Sequence, residues 1–90
     1  MIEIVLDRLP GVLARRGDGR SSLYSDIAEG LWTPPIRMGR ASTWPAHETQ
    51  AILAAHVAGA TDDEIRQLVR DLLTRRKSLM PRIGPETEAA

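Results

Sequence analysis

Residues 20–44 read RSSLYSDIAEGLWTPPIRMGRASTW and combine two patterns of different period. In the first half, Leu23 and Ile27 are four positions apart, which places both side chains on one face of a helix. Gly30 follows, and glycine is a usual residue just beyond a helix end. The first half therefore predicts a short helix over residues 20–29, whose polar face carries one arginine and several hydroxyl groups.

The second half begins with Pro34 and Pro35, which exclude a helix because proline lacks the backbone N–H group and clashes with the preceding turn. Two extended segments follow at 36–38 and 41–44, and the two residues between them begin with Gly39. A two-residue connection that contains glycine is typical of a β-hairpin. The second half therefore predicts a small hairpin with arginines at and beside its tip.

Upstream, Pro10 suits the first turn of a helix and Gly17 suits its end, which predicts a helix over residues 10–16. The short turn Asp18-Gly19 joins this helix to the next one. Apolar and polar residues alternate over residues 1–7, the pattern of a short strand or an extended arm. Three apolar side chains share one side of this arm: Ile2, Ile4 and Leu6.

Downstream, Pro45 opens a third helix that continues through Val57 and has Ile52, Leu53 and Val57 on its apolar side. Thr61 and Glu64 have the spacing of a capping box, which marks the start of a long last helix. The apolar residues of that helix recur at helical spacing: Ile65, Leu68, Val69, Leu72 and Leu73.

These elements predict a mainly α fold with a small β-hairpin, in which a winged helix-turn-helix is followed by a long C-terminal helix. Ninety residues provide one modest core. We expect four parts: an N-terminal arm at 1–7, a domain at 8–58, a C-terminal helix at 61–80 and a disordered tail at 81–90 that is rich in glycine, proline and acid.

Composition excludes several classes of protein. There is no cysteine, which rules out disulfides and thiolate metal sites and favours a soluble, intracellular protein. No apolar run approaches the roughly 20 residues of a membrane-spanning helix. His47 and His56 are nine positions apart and do not form a metal-ligand pair on one helical face. No catalytic arrangement of side chains stands out, so we expect no enzyme activity, no cofactor and no metal.

The charge is unevenly distributed along the chain. Twelve basic and twelve acidic residues cancel, but residues 8–44 contain six arginines, no lysine and three acids. Arginine suits phosphate and guanine because its planar guanidinium donates two parallel hydrogen bonds. The basic half of the chain is therefore the half that carries the predicted helix-turn-helix and hairpin.

A helix-turn-helix unit with a hairpin beside it is an arrangement that reads duplex DNA, with the second helix in the major groove and the hairpin against the backbone or the minor groove. The expected contacts fall into three groups. The second helix would contribute Arg20, Ser21, Ser22, Tyr24 and Ser25. The hairpin would contribute Arg37, Arg40 and Ser42. The first helix would contribute Arg15 and Arg16, whose side chains would contact the DNA backbone.

Plainer interpretations exist for the same residues. Serines and arginines on a short helix commonly form no more than a solvated face. Trp32 and Trp44 are expected inside the molecule, because a domain without phenylalanine needs them in its core. Tyr24 fits either packing or phosphate contact.

The chain from about residue 6 to about residue 58 resembles the AlpA-type prophage regulators, relatives of phage excisionases and of the MerR-like winged helices. The residues that carry the resemblance are Arg8-Leu9, Val12-Leu13, Gly17, Arg20-Ser21-Ser22-Leu23-Tyr24, Ile27-Ala28, Gly30, Trp32, Pro35-Ile36-Arg37-Met38-Gly39-Arg40 and Trp44. The sequence departs from the family pattern at Asp18-Gly19, where an apolar residue and a serine cap are usual, and at Thr33, where proline is common.

The resemblance implies a bacterial, cytoplasmic, nucleoid-associated protein of a prophage or an integrative conjugative element. Such proteins bind repeated sites beside an attachment site, turn an integrase from insertion to excision, and in many cases act at promoters. One winged domain buries too little surface for tight binding alone, so cooperative assembly on DNA is expected. A promoter-bound regulator without a recombination role is one alternative, and a protein-interaction adaptor or antitoxin-like module is another.

Two modes of self-association are open. The arm with Ile2, Ile4 and Leu6 predicts a head-to-tail contact, which propagates as a filament. The last helix, with Leu68 and Leu72 on its apolar side, could instead pair with its twin in a closed dimer. A third interpretation is that this helix only covers its own domain.

Overall fold

The computed structural model describes residues 3–80, which form four helices and one three-stranded antiparallel sheet. In chain order the elements are β1 (Leu6–Arg8), α1 (Leu9–Arg16), α2 (Arg20–Ala28), β2 (Ile36–Met38), β3 (Ala41–Pro45), α3 (Ala46–Val57) and α4 (Asp62–Ser78). All predicted helices and both hairpin strands are present with closely matching ends. Ile2 and the tail at 81–90 lie outside the described residues.

The sheet is larger than the predicted hairpin, so the fold is mixed α/β rather than mainly α. The strand order is β1-β3-β2, and Leu6 lies opposite Pro45 while Arg8 lies opposite Thr43. The backbone N–H of Ala46 also donates to the carbonyl of Val5 at 2.7 Å. Part of the predicted N-terminal arm is therefore a paired edge strand of the domain.

One hydrophobic core joins the helices and the sheet. Its buried members are Val12, Leu23, Trp32, Trp44, Ile52, Ile65, Val69 and Leu72. Both tryptophans are inside, as predicted, and the indole N–H of Trp44 donates to the carbonyl oxygen of Thr33 at 3.0 Å. α4 contributes three of the eight residues, so it belongs to the same core as the elements within residues 8–58.

α4 begins with the predicted capping box. The Glu64 amide donates to the Thr61 hydroxyl at 3.2 Å, and the Thr61 amide donates to the Glu64 carboxylate at 2.8 Å. The reciprocal bonds satisfy two backbone donors that the first turn of a helix would otherwise leave free. Three acids in the first turn and three bases in the last turn also complement the helix dipole.

The apolar side predicted for α3 is wrong at its end. Ile52 is fully buried, but Val57 is 89% exposed. Val57 lies roughly 140° around the helix from Ile52, since each residue turns the helix by about 100°. The buried side of α3 instead includes Glu48 and Thr49.

Candidate nucleic-acid interface

α2 presents a polar face to solvent. Leu23 is fully buried and anchors the helix, with Ile27 packed against the core. Six residues of α2 are exposed: Ala28 and all five that the sequence predicts as contacts, Arg20, Ser21, Ser22, Tyr24 and Ser25. The helix is capped by Gly19 without a side-chain hydrogen bond, which agrees with the missing serine cap.

Tyr24 joins α2 to the sheet. Its ring meets the ring of Trp44 edge to face, with centroids 6.4 Å apart and planes at 72°. The guanidinium carbon of Arg20 lies 5.7 Å from the centroid of the Tyr24 ring. Together with Ser21, these two residues line a shallow concavity. Tyr24 therefore packs through one edge while remaining partly exposed, so neither of its two predicted roles is excluded.

The register of the hairpin determines which of its side chains lie toward α2. Arg37 is opposite Ser42, and Ser42 is two residues before Trp44 on the same strand. Because side chains alternate along a strand and opposite residues share a face, Arg37, Ser42 and Trp44 lie on one face of the sheet. Trp44 on this face contacts Tyr24 of α2, so Arg37 and Ser42 lie on the sheet face that carries this contact.

The hairpin tip is exposed. Gly39 has φ +64°, a left-handed conformation that a two-residue hairpin turn requires at its first position. Arg40 follows it at the tip. Among residues 3–80, no carboxylate forms an ion pair with Arg20, Arg37 or Arg40. The three guanidinium groups on α2 and the hairpin are therefore available to an anionic partner.

The two arginines predicted to contact the DNA backbone from α1 are both paired. Arg15 Nε donates to Asp7 Oδ2 at 2.9 Å on the surface and links α1 to β1. The side chain of Arg16 is only 6% exposed. The expectation that Arg16 contacts phosphate does not agree with this burial, because two carboxylates already surround its guanidinium.

Arg16 is the centre of a network that sequence reasoning missed. Its guanidinium donates to Asp18 through Nε at 2.8 Å and Nη2 at 2.7 Å, and to Asp26 at 2.8 Å. It also lies over the ring of Trp32, 4.5 Å from the centroid. The network ties α1 to the turn through Asp18 and to α2 through Asp26.

This network shifts two pKa values. The hydrogen bonds from Arg16 hold the pKa of the Asp18 carboxyl below its usual value, although desolvation opposes the shift. The pKa of Arg16 is raised: desolvation lowers it, but the hydrogen bonds and charges of the two aspartates outweigh that effect. Arg16 therefore keeps its positive charge at every pH at which folding or binding would be measured.

α4 is bound to the segment that joins α2 to β2, residues 29–35, which we term the connector. Arg66 Nε donates to the carbonyl oxygen of Glu29 at 2.9 Å. Arg76 donates to both carboxylate oxygens of Glu48 at 2.8 and 2.6 Å, and to the carbonyl oxygen of Pro34 at 3.0 Å. No local pattern signals these contacts, because the partners are 28 to 42 positions apart in the chain.

The side chains predicted for self-association differ in exposure. Leu72 is buried in the core of its own domain and Leu68 is packed against it. The prediction that these two leucines pair with a second chain is therefore wrong for Leu72, and the interpretation that α4 covers its own domain agrees with the contacts. Leu6 is exposed on the edge strand of the sheet, and Ile4 is exposed just before that strand begins.

Residues 3–80 contain neither a candidate metal site nor a candidate membrane span. Within them, no group of three or more His, Asp or Glu side chains is placed to hold a metal ion. No helix in the same range has the length and apolar character needed to cross a membrane.

Comparison with family models, with curated proteins and with solved structures gives no match to this chain. The function is therefore inferred from the chain's own residues and geometry.

Proposed function

We propose that this chain binds duplex DNA as a winged helix-turn-helix protein, with α2 in the major groove and the β2–β3 hairpin as the wing. The observation that supports the proposal is the set of three arginines without an ion-pair partner among residues 3–80, one on α2 and two on the hairpin, with α2 meeting the sheet through the Tyr24–Trp44 contact. An α-helix with its side chains is about 10–12 Å in diameter, which suits a major groove about 12 Å wide.

The roles within this interface differ by position. Arg20 is at the N-terminal end of α2, the part of a recognition helix that contacts base edges, and its guanidinium can bind guanine through two hydrogen bonds. The serine hydroxyls are suited to phosphate oxygens or base edges. Arg40 at the hairpin tip contacts the DNA backbone or the minor groove. We therefore assign sequence preference to Arg20 and position along the duplex to Arg40.

Within this class, the resemblance of residues 6–58 to AlpA-type regulators favours an excisionase of a mobile element that acts with an integrase. Leu6, exposed on the edge strand, and Ile4, exposed two residues before it, support the head-to-tail assembly proposed for it. A promoter-bound regulator uses the same surface and remains the second candidate. The adaptor alternative is less favoured, because it relies on the apolar side of α4, and that side lies in the core.

The test is a binding titration on a duplex selected from a random library, repeated at increasing salt. A DNA-binding protein loses affinity along a straight line of log affinity against log salt concentration, with a slope that counts the neutralised phosphates. Arg20→Ala should reduce binding to the selected duplex by about 1–3 kcal/mol and binding to random duplex much less. Arg40→Ala should weaken binding to both alike and reduce the salt slope by about one.

Two results would contradict the proposal. A wild-type chain that selects no sequence and shows no salt slope does not bind DNA in this way. An equal loss on all sequences for Arg20→Ala would remove Arg20 as a base reader. Solution scattering with and without the selected duplex tests assembly separately, since a dimer independent of concentration would exclude the filament.

A further inference from the structure

The connector determines how α2 and the hairpin are placed relative to each other. It is only seven residues long, at 29–35, and it joins the end of α2 to the start of β2. Its two middle residues, Trp32 and Thr33, are buried. The ends of the connector are more exposed, so any movement of α2 relative to the hairpin must be restrained there by contacts from other elements.

α4 supplies a contact at each end. At the α2 end, Arg66 donates to the carbonyl oxygen of Glu29, and its side-chain carbons pack against Gly30. At the β2 end, Arg76 donates to the carbonyl oxygen of Pro34. Ten residues of helix separate the two arginines, a length of about 15 Å. A rigid helix therefore holds the two ends of the connector at a fixed separation.

The anchoring of α4 is stronger at the β2 end. The Glu48 carboxylate is 1% exposed and receives both hydrogen bonds from Arg76, an arrangement that fixes the guanidinium plane. The same guanidinium then reaches Pro34. Arg76 thus connects α4, α3 and the connector, whereas Arg66 makes a single tertiary hydrogen bond near the surface.

We infer that Arg66 and Arg76 are positioning residues, through which α4 fixes the orientation of α2 relative to the β2–β3 hairpin. The consequence for DNA rests on the proposed function: a fixed orientation lets the protein reject duplexes in which the groove contacts of α2 and the hairpin are wrongly spaced. α4 then acts on recognition without touching DNA.

Arg66→Ala is the variant of choice, because removal of Arg76 would leave the buried Glu48 carboxylate unpaired and unfold part of the population. The matched control is Arg70→Ala, one turn further along α4, since Arg70 is exposed and its hydrogen bond goes to Gln67 of the same helix. Arg66→Lys keeps the charge and one donor. All three variants should unfold within about 4 °C of the wild type.

The first measurement is amide hydrogen exchange without DNA. The amides of Gly30 and Leu31 donate to carbonyls of α2 and report on the α2 end of the connector. We expect about tenfold faster exchange at these two amides in Arg66→Ala, a smaller change in Arg66→Lys and none in Arg70→Ala. Equal exchange in Arg66→Ala and Arg70→Ala would overturn the inference.

The second measurement is discrimination between the selected duplex and the same duplex with one base pair inserted between its two contact regions. The ratio of the two affinities should fall about three- to tenfold in Arg66→Ala and stay unchanged in Arg70→Ala. Faster exchange with an unchanged ratio would overturn the effect on recognition. A wild-type chain that selects no duplex would refute the proposed function, while hydrogen exchange would still decide whether α4 holds the connector.

Discussion

Three arginines contact the connector from α1 and α4 (the connector arginines), three others lie on α2 and the hairpin (the interface arginines), and the two groups are used in opposite ways. The connector arginines donate to carboxylates or to backbone carbonyls, or stack on a tryptophan: Arg16, Arg66 and Arg76. The interface arginines form no ion pair with any residue between 3 and 80: Arg20, Arg37 and Arg40. The fold therefore uses the first group for its own contacts and leaves the second group without an ion pair among the described residues.

The difference has an energetic meaning. A connector arginine satisfies groups that are partly or wholly removed from water, so its loss leaves those groups without partners. An interface arginine is hydrated in the free protein and loses little on truncation until an anionic partner is added. Substitution of a connector arginine should therefore lower mainly the free energy of unfolding, and substitution of an interface arginine should lower mainly the affinity for DNA.

Arg76→Ala should have the largest effect on stability. The Glu48 carboxylate is almost fully buried, and Arg76 is the residue that donates to both of its oxygens. Loss of one partner of a buried ion pair costs about 3–5 kcal/mol. Urea unfolding should show this loss, and Arg75→Ala, an exposed neighbour, should unfold within about 0.5 kcal/mol of the wild type. Similar midpoints for the two variants would contradict the assignment.

Arg16→Ala should follow, with a loss of about 2 kcal/mol. The effect is smaller than at Arg76 because Asp18 and Asp26 are each more than a third exposed and can be hydrated. Arg16→Lys should recover only part of the loss, since an ammonium cannot reproduce the forked hydrogen bonds or the stacking on Trp32. Full recovery by lysine in thermal unfolding would show that charge alone matters there.

Asp18→Asn should have a smaller effect that depends on pH. The pKa of Asp18 is lowered in the folded state by Arg16, so its ion pair contributes stability above the pKa of the unfolded chain, about 3.9. That contribution disappears as the pH falls through the lower folded value. Unfolding at pH 7 should therefore distinguish wild type from Asp18→Asn, and the two curves should converge as the pH falls below the folded-state pKa of Asp18. A difference independent of pH would contradict the ion pair.

Arg40→Ala should change the free energy of unfolding least among the four variants. Its side chain is at the exposed hairpin tip without a carboxylate partner in the described part of the chain, so the free energy of unfolding should change by less than about 0.5 kcal/mol. Calorimetric unfolding of the free protein measures this change. A loss as large as that of Arg16→Ala would remove the distinction between connector and interface arginines.

The sequence predicts those features of the fold that depend on local patterns. The spacing of Leu23 and Ile27, the turn at Gly39 and the capping box at Thr61 each specify an element within a few residues of where it lies. The exposed hydroxyls of α2 are also predictable, because a helix with one buried stripe leaves the rest of its surface in solvent.

Contacts between distant segments leave no local pattern in the sequence from which they could be predicted. Arg16 precedes a glycine and Arg20 follows one in the same basic stretch, and nothing local shows that the first is buried and the second exposed. Glu48 looks like an ordinary helix-surface residue until α4 brings Arg76 to it. The pairing of β1 with β3 likewise depends on the path of the chain through α1, α2 and the hairpin.

The most direct test of the account is a nuclear magnetic resonance titration of the labelled protein with the selected duplex. The account predicts that amides in two ranges, 20–25 on α2 and 37–42 in the hairpin, shift together at one stoichiometry. The acidic first turn of α4 should show no change. Shifts confined to α4, or to one of the two ranges alone, would contradict the claim that α2 and the hairpin contact a single duplex.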